Sequence, residues 1–230
     1  MSQYAVDLLD ELASGVAGPS TDRTHRPQPL PALESPVRVG TSPTPVGASV
    51  LDVLSGRTSI RDFADAPIQA ADVLDALTVA LDADSTTAGP DAAPFEITLL
   101  AVRMGPLAPG IYRFSRTERT TELIAPLPPE DRLRDLTLQQ EFSYAPVLVS
   151  VAADLQDVAT RDGAAGYREL MTRAGAVLYR TWLEGIARGL IGSVFAGFIP
   201  ATVRTSLRSD GASRHQLFAL ALGAPRTAVG

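Results

Sequence analysis

Arg57-Thr58-Ser59-Ile60-Arg61-Asp62-Phe63 sets two guanidinia and a hydroxyl within one short turn. Planar forks beside a hydroxyl suit a phosphate, which accepts charge-assisted, bidentate hydrogen bonds. Taken alone, two arginines four residues apart are more often a solvated face. The sequence on either side decides between the two readings.

Upstream, Ala48 to Leu54 reads as a helix ended by Ser55-Gly56. Downstream, Ala70 to Leu81, started near Gln69, places Val73, Leu74, Leu77 and Leu81 on one face of a second helix. Phe95 to Met104 is as dense in Ile and Leu as a strand covered on both faces. Gly110 to Phe114 reads as a further strand, with Thr120 to Ile124 as its partner. Pro128 to Gln140 reads as helical and Pro146 to Ala153 as another apolar strand. Gly166 to Arg188 is the longest helical stretch, with Met171, Val177, Leu178 and Leu183 in its core stripe. A short helix at Ala201 to Leu207 precedes the last strand, Gln216 to Leu222. Helices and strands interleave, with no internal repeat.

At the N-terminal side, Tyr4 to Val16 reads as a short amphipathic helix stopped by Gly18-Pro19-Ser20. Proline at 19, 27, 29, 31, 36, 43 and 45 then forbids helix or central strand. Residues 1–46 are therefore expected to be a helix and an extended arm, either wrapping a partner subunit or serving as a connector. Residues 47–230 form the main domain.

Composition narrows the chemistry. With 20 basic against 26 acidic side chains, a net charge of −6 at pH 7 lacks the basic excess of a nucleic-acid binder. The chain has no Cys, no Lys and no Asn, so all 20 basic residues are Arg. That excludes disulfides, a thiolate nucleophile, cysteine-ligated metal sites, a Schiff-base lysine and a P-loop lysine. His25 and His215 are too few and too far apart to suggest a metal or charge-relay site. No run of 18 apolar residues is present, and Met1 to Ala17 carries Asp7, Asp10 and Glu11 where a signal peptide is basic and then apolar. A cytoplasmic protein without membrane contact is the expectation.

A second stretch is built for close approach. Gly189-Leu190-Ile191-Gly192-Ser193-Val194-Phe195-Ala196-Gly197-Phe198 is small and apolar, allowing backbone to come near a flat ligand. The competing reading is a packed turn between helix and strand.

Taken in order, these segments resemble a known family. Arg57 to Phe63, followed by Pro67-Ile68 and a helix from Ala71, resembles the R-x-S-x-R-x-[FY] opening of FMN-dependent nitroreductase-fold proteins. Thr87-Ala88-Gly89, Pro94-Phe95-Glu96 and Leu107-Ala108-Pro109-Gly110-Ile111-Tyr112-Arg113-Phe114 resemble the S-[AG]-G, [YP]-P-x-E and L-x-P-G-[LI]-Y-[RH]-[YF] segments of its SagB-type dehydrogenase branch. Tyr144 to Val149, Gly166 to Met171, Ala174-Gly175, Gly189 to Phe198 and Leu222 to Arg226 continue the match, which runs from about Ala48 to Arg226.

The resemblance implies an α+β nitroreductase-like sandwich, a central mixed or antiparallel sheet flanked by helices, dimeric, with FMN at the dimer interface. Carried over by position, Arg57, Ser59 and Arg61 hold the FMN phosphate and ribityl chain. Arg226 reaches the phosphate, and backbone at Ala196 and Gly197 approaches the isoalloxazine. SagB-type enzymes oxidise azoline rings in ribosomally made peptides to azoles. The implied partners are a peptide substrate, a homologous subunit in a homo- or heterodimer, and a cyclodehydratase complex. The family's Lys-Tyr pair before the Gly-Tyr-Arg helix is Arg161-Asp162 here. The His that often follows Ala-Gly is Ala176, and the Tyr of Y-P-x-E is Ala93. Arginine stays protonated at neutral pH and makes a poor general base, so Asp162 and Tyr167 become the candidate proton carriers. The alternatives to a peptide-tailoring oxidoreductase are a degenerate, non-catalytic partner subunit and a general nitro- or quinone-reductase.

Overall fold

The computed structural model describes residues 30–44, 46–89, 92–199, 202, 206–207 and 214–226. In chain order the elements are β1 (Val37–Arg38), α1 (Val50–Gly56), β2 (Ile68–Gln69), α2 (Ala70–Ala88), β3 (Glu96–Ala101), β4 (Met104–Gly105), β5 (Gly110–Ser115), β6 (Thr120–Ala125), α3 (Glu130–Arg134), a 3-10 turn at Gln140–Tyr144, β7 (Val147–Ala153), α4 (Leu155–Ala187), β8 (Ile191–Phe195) and β9 (His215–Gly223). A seven-stranded antiparallel sheet runs in the order β1-β6-β5-β3-β7-β9-β8, and β2 pairs with β4 in parallel.

The apolar runs of the central strands divide their side chains between two cores. Ile97, Leu99 and Ala101 of β3, and Val147, Val149 and Val151 of β7, enter one cluster. Leu100, Leu148 and, from β9, Ala219 and Ala221 enter the other. Helices α2 and α4 cover the first face with Val73, Leu74, Leu77, Leu170, Val177, Leu178 and Trp182. The second face is closed by Phe63, Leu133, Leu136 and Phe142. The result is an α+β sandwich whose central strands are buried on both sides.

Most expected elements lie where periodicity puts them, α2 beginning directly after its cap Gln69 but running past the expected end at Leu81 to Ala88. Four further expectations change. The strand expected over Phe95 to Met104 stops at Ala101, because Val102 and Arg103 both turn their amides to Pro146 O, freeing Met104 to pair with Ile68. The helix expected from Pro128 to Gln140 shrinks to α3 and the 3-10 turn. Residues 136–138 are drawn instead toward 197–199, with Leu138 N donating to Gly197 O (2.8 Å) and Ile199 N to Leu136 O (2.9 Å). The long helix starts at Leu155, eleven residues before Gly166, and crosses a non-helical kink at Gly163 (φ 59°, ψ −149°), a conformation open mainly to glycine. Residues 191–195 form an edge strand. The helix expected at Ala201 to Leu207 lies mostly outside the described residues, although Thr202, Ser206 and Leu207 are helical. The helix expected at Tyr4 to Val16 lies wholly outside them.

Residues 30–44 of the Pro-rich arm are held by the chain's own sheet and by α2. Val37 and Arg38 pair with Thr121 and Thr120, Leu33 N donates to Leu123 O (2.7 Å), and Ser42 N donates to Asp75 Oδ2 (2.7 Å). In the β5–β6 hairpin, Tyr112 donates its phenol to Ala108 O (2.8 Å). Burial, with Glu34 adding, pushes that phenol above its usual pKa.

Candidate functional site

The Arg57–Phe63 segment leaves α1 and runs along the outer edge of β8. Ser59 bridges Gly192 in parallel, Ile60 N donates to Gly192 O (3.0 Å), and further on Ala64 N donates to Ala224 O (3.0 Å). Glycine is required at Gly192 and again at Gly223, the neighbour of Ala224. A Cβ on Gly192 would sit 2.0 Å from Ala221 O, and one on Gly223 would sit 2.6 Å from the Phe63 ring. The edge of the sheet is thereby capped by the segment that carries the two arginines.

Each of those arginines lies over an aromatic ring. The Arg57 guanidinium carbon is 5.0 Å from the centroid of Trp182, and that of Arg61 is 5.8 Å from Phe142, which itself stacks on Phe195 at 4.1 Å. Trp182 belongs to the helix-side core and Phe142 to the opposite one, so the two guanidinia frame the β8 edge from its two faces. Among the described residues neither has a carboxylate partner. Arg226 reaches the same corner, with its Nε 3.1 Å from Phe63 O and 2.9 Å from Asp62 Oδ1. Ser59 is exposed beside them. Ala196 and Gly197 follow β8 directly, and their turn is fixed by Phe198 N donating to Ala196 O (3.0 Å) and by the Leu138–Gly197 bond.

Asp162 and Tyr167 lie elsewhere. A cavity of about 540 Å³ opens between the end of α2 and the first half of α4, lined among others by Ala88, Ala93, Asp162, Gly166, Glu169 and Arg173. Arg173 forms part of its wall, held by two hydrogen bonds to Asp84 (3.0 and 2.8 Å), one to Ala93 O (3.1 Å) and a stack on Phe95 at 4.8 Å. At the rim, Arg161 Nε donates to Asp162 Oδ2 (2.8 Å). The two residues standing where the resembling family has Lys-Tyr are thus paired to each other. Tyr167 is 45% exposed. From Tyr167 to Trp182 the helix rises roughly 22 Å, so one chain does not bring Asp162 or Tyr167 to the arginines at β8. Within one chain, the candidate proton carriers and the arginines that the resemblance assigns to a dimer-interface site form two groups at opposite ends of α4.

Three contributors escaped the sequence reading: Trp182 under Arg57, Phe142 under Arg61, and Arg173 in the cavity wall. Trp182 follows Leu178 by four residues on the core stripe, where an aromatic reads as packing; its role beneath a cation is set by a segment far upstream.

No family model matches the chain, and no curated protein matches it. Solved structures do. A nitroreductase from Anabaena variabilis superposes with a TM-score of 0.70 at 20% identity over 84% of this chain, which spans only 42% of that longer chain. A nitroreductase from Ralstonia eutropha gives 0.58 at 16% identity, covering 85% of this chain and 89% of that one. A chain of the Escherichia coli microcin synthetase complex McbBCD, with truncated pro-MccB17 bound, gives 0.59 at 15% identity over 99% of this chain and 95% of that one. The fold is therefore nitroreductase-like: an antiparallel α+β sandwich. Among the described residues, no helix is long and apolar enough to cross a membrane.

Proposed function

We propose that this chain is an FMN-dependent oxidoreductase acting on a ribosomally made peptide, by azoline-to-azole dehydrogenation or a related redox step. The observation that carries the reading is the corner at β8, where Arg57, Arg61 and Ser59 stand beside Arg226 and, among the described residues, neither Arg57 nor Arg61 has a carboxylate partner. Arg57 and Arg61 fit a phosphate dianion, which takes charge-assisted donors that no acid has already neutralised, while Arg226 would join them from its ion pair with Asp62. Arg57, Ser59, Arg61 and Arg226 would hold the FMN phosphate and ribityl chain, with the backbone at Ala196 and Gly197 against the ring system. When bound, FMN would take up or deliver a hydride. The peptide substrate class is supported by the Leu107–Phe114 resemblance and by the near-complete overlap with a chain of the McbBCD complex.

A homodimer completes this reading. The cavity group and the arginine group are too far apart in one chain to serve one substrate, and a second copy that lays its cavity beside the first copy's β8 edge joins them. Helix α1 offers an apolar surface for such a contact, with Val50 72%, Leu51 79% and Leu54 44% exposed. In the joined site Asp162 or Tyr167 would carry the substrate proton.

The Arg161–Asp162 ion pair favours a second reading, a non-catalytic subunit that pairs with an active homologue. The Asp162 carboxylate is already engaged by Arg161, and an arginine, permanently protonated, supplies no base of its own.

The test is FMN titration of the wild type and of Arg57→Ala. Loss of a charge-assisted contact of about 1.5–3 kcal/mol weakens binding roughly 10- to 100-fold. Equal affinity in both proteins removes Arg57 from the site.

A further inference from the structure

We propose that Trp182 is a positioning residue for the flavin phosphate, acting through Arg57. The proposal rests on the FMN reading above and assigns a role to a side chain that does not itself touch the cofactor. Trp182 is the chain's single tryptophan, 3% exposed, on the helix that backs the sheet. The Arg57 guanidinium lies over its ring at 5.0 Å, inside the ~6 Å range of a cation–π contact. Tyr179 meets the indole edge-on at 6.0 Å and 82°, fixing the ring's own plane.

Two further facts separate this arrangement from ordinary packing. The indole Nε1 is buried without a hydrogen-bond partner among the described residues, a stability cost that a phenylalanine or leucine would not carry. Among the described residues Arg57 also lacks the carboxylate that usually immobilises a half-buried arginine. An acid there would fix the guanidinium but neutralise it before an anion arrived. An aromatic face fixes the plane and leaves the charge and the outward N–H groups available. Pre-orienting the fork removes the ordering cost that a free arginine meets on binding, and indole is the strongest of the aromatic faces for this purpose.

The experiment is a double-mutant cycle on FMN affinity, read by quenching of flavin fluorescence on the full chain: wild type, Trp182→Leu, Arg57→Ala and the double variant, with Trp182→Phe as rescue. Trp182→Leu is expected to weaken FMN about tenfold and Trp182→Phe about threefold. On the Arg57→Ala background, Trp182→Leu is expected to have no further effect, a result that a merely structural role does not produce. A Trp182→Leu loss that adds in full to that of Arg57→Ala overturns the proposal, and so does an unchanged affinity. Should Trp182→Leu fail to fold, the Arg57→Ala protein decides alone: removing the cation is expected to shift the emission of the single tryptophan, and an unshifted spectrum overturns the contact. Wild type that takes up no FMN overturns the flavin reading and this role with it, whereas wild type that binds while the variants add independently overturns this role alone.

Discussion

Gly192→Ala places a methyl group where the fold has no room for one. Its Cβ would lie 2.0 Å from Ala221 O and 3.1 Å from a Leu222 side-chain carbon. The first of these is backbone of the adjacent strand, so relief requires β8 and β9 to part. Overpacking of this kind costs about 1–3 kcal/mol. The Ile60 N to Gly192 O bond that anchors the Arg57–Phe63 segment adds about 1 kcal/mol when lost. The sum, about 2–4 kcal/mol, corresponds to a melting temperature lowered by roughly 5–15 °C for a domain of this size. The assay is thermal unfolding of the FMN-free protein followed by circular dichroism, with FMN affinity measured in parallel because the segment carrying Arg57 and Arg61 leans on Gly192. Gly175→Ala is the control. It lies within α4 with nothing within 4 Å of the added Cβ, so alanine there is expected to stabilise by about 0.5–1 kcal/mol. A Gly192→Ala protein melting within about 2 °C of the wild type and binding FMN as tightly refutes the claim that the β8 edge positions the site.

Two predictions concern the assembly and alkaline stability. Size-exclusion chromatography with light scattering is expected to give about twice the 24.2 kDa chain mass, and Leu51→Glu is expected to shift the protein toward monomer; a wild-type monomer that still binds FMN contradicts the joined site. The Tyr112 phenol, pushed up by burial and by Glu34, contributes stability that is fully present below the unfolded phenol pKa of about 10 and is lost as pH rises through the higher folded value. Chemical denaturation between neutral pH and the range above 10 is expected to show this fall, reduced in Tyr112→Phe, and an identical pH profile in the variant rules Tyr112 out as its source.

The parts of the fold that were legible in the sequence are those whose own side-chain pattern decides them. Val73, Leu74, Leu77 and Leu81 mark the α2 face, and the β5–β6 hairpin and the apolar runs of β7 and β9 stand out as strands. What could not be read was set by distant partners. Residues 136–138 leave the helix because Gly197 and Ile199 pair with them, and Val102 and Arg103 turn because Pro146 O accepts from both. At the site, resemblance grouped the arginines at 57, 61 and 226, which the fold brings to one strand edge. The placement of Arg57 and Arg61 on opposite faces depends on Trp182 and Phe142, which no local spacing links to them. Asp162 became a candidate because it stands where the resembling family has Lys-Tyr, and only the rise of α4, which no motif reveals, shows how far it lies from the arginines of its own chain.

The most direct measurement of the central claim is the visible absorbance spectrum of the full chain after incubation with excess FMN and removal of free flavin by gel filtration. Flavin bands are expected to stay with the protein at about one FMN per chain and to disappear on release by denaturant. A colourless protein after that treatment contradicts the claim.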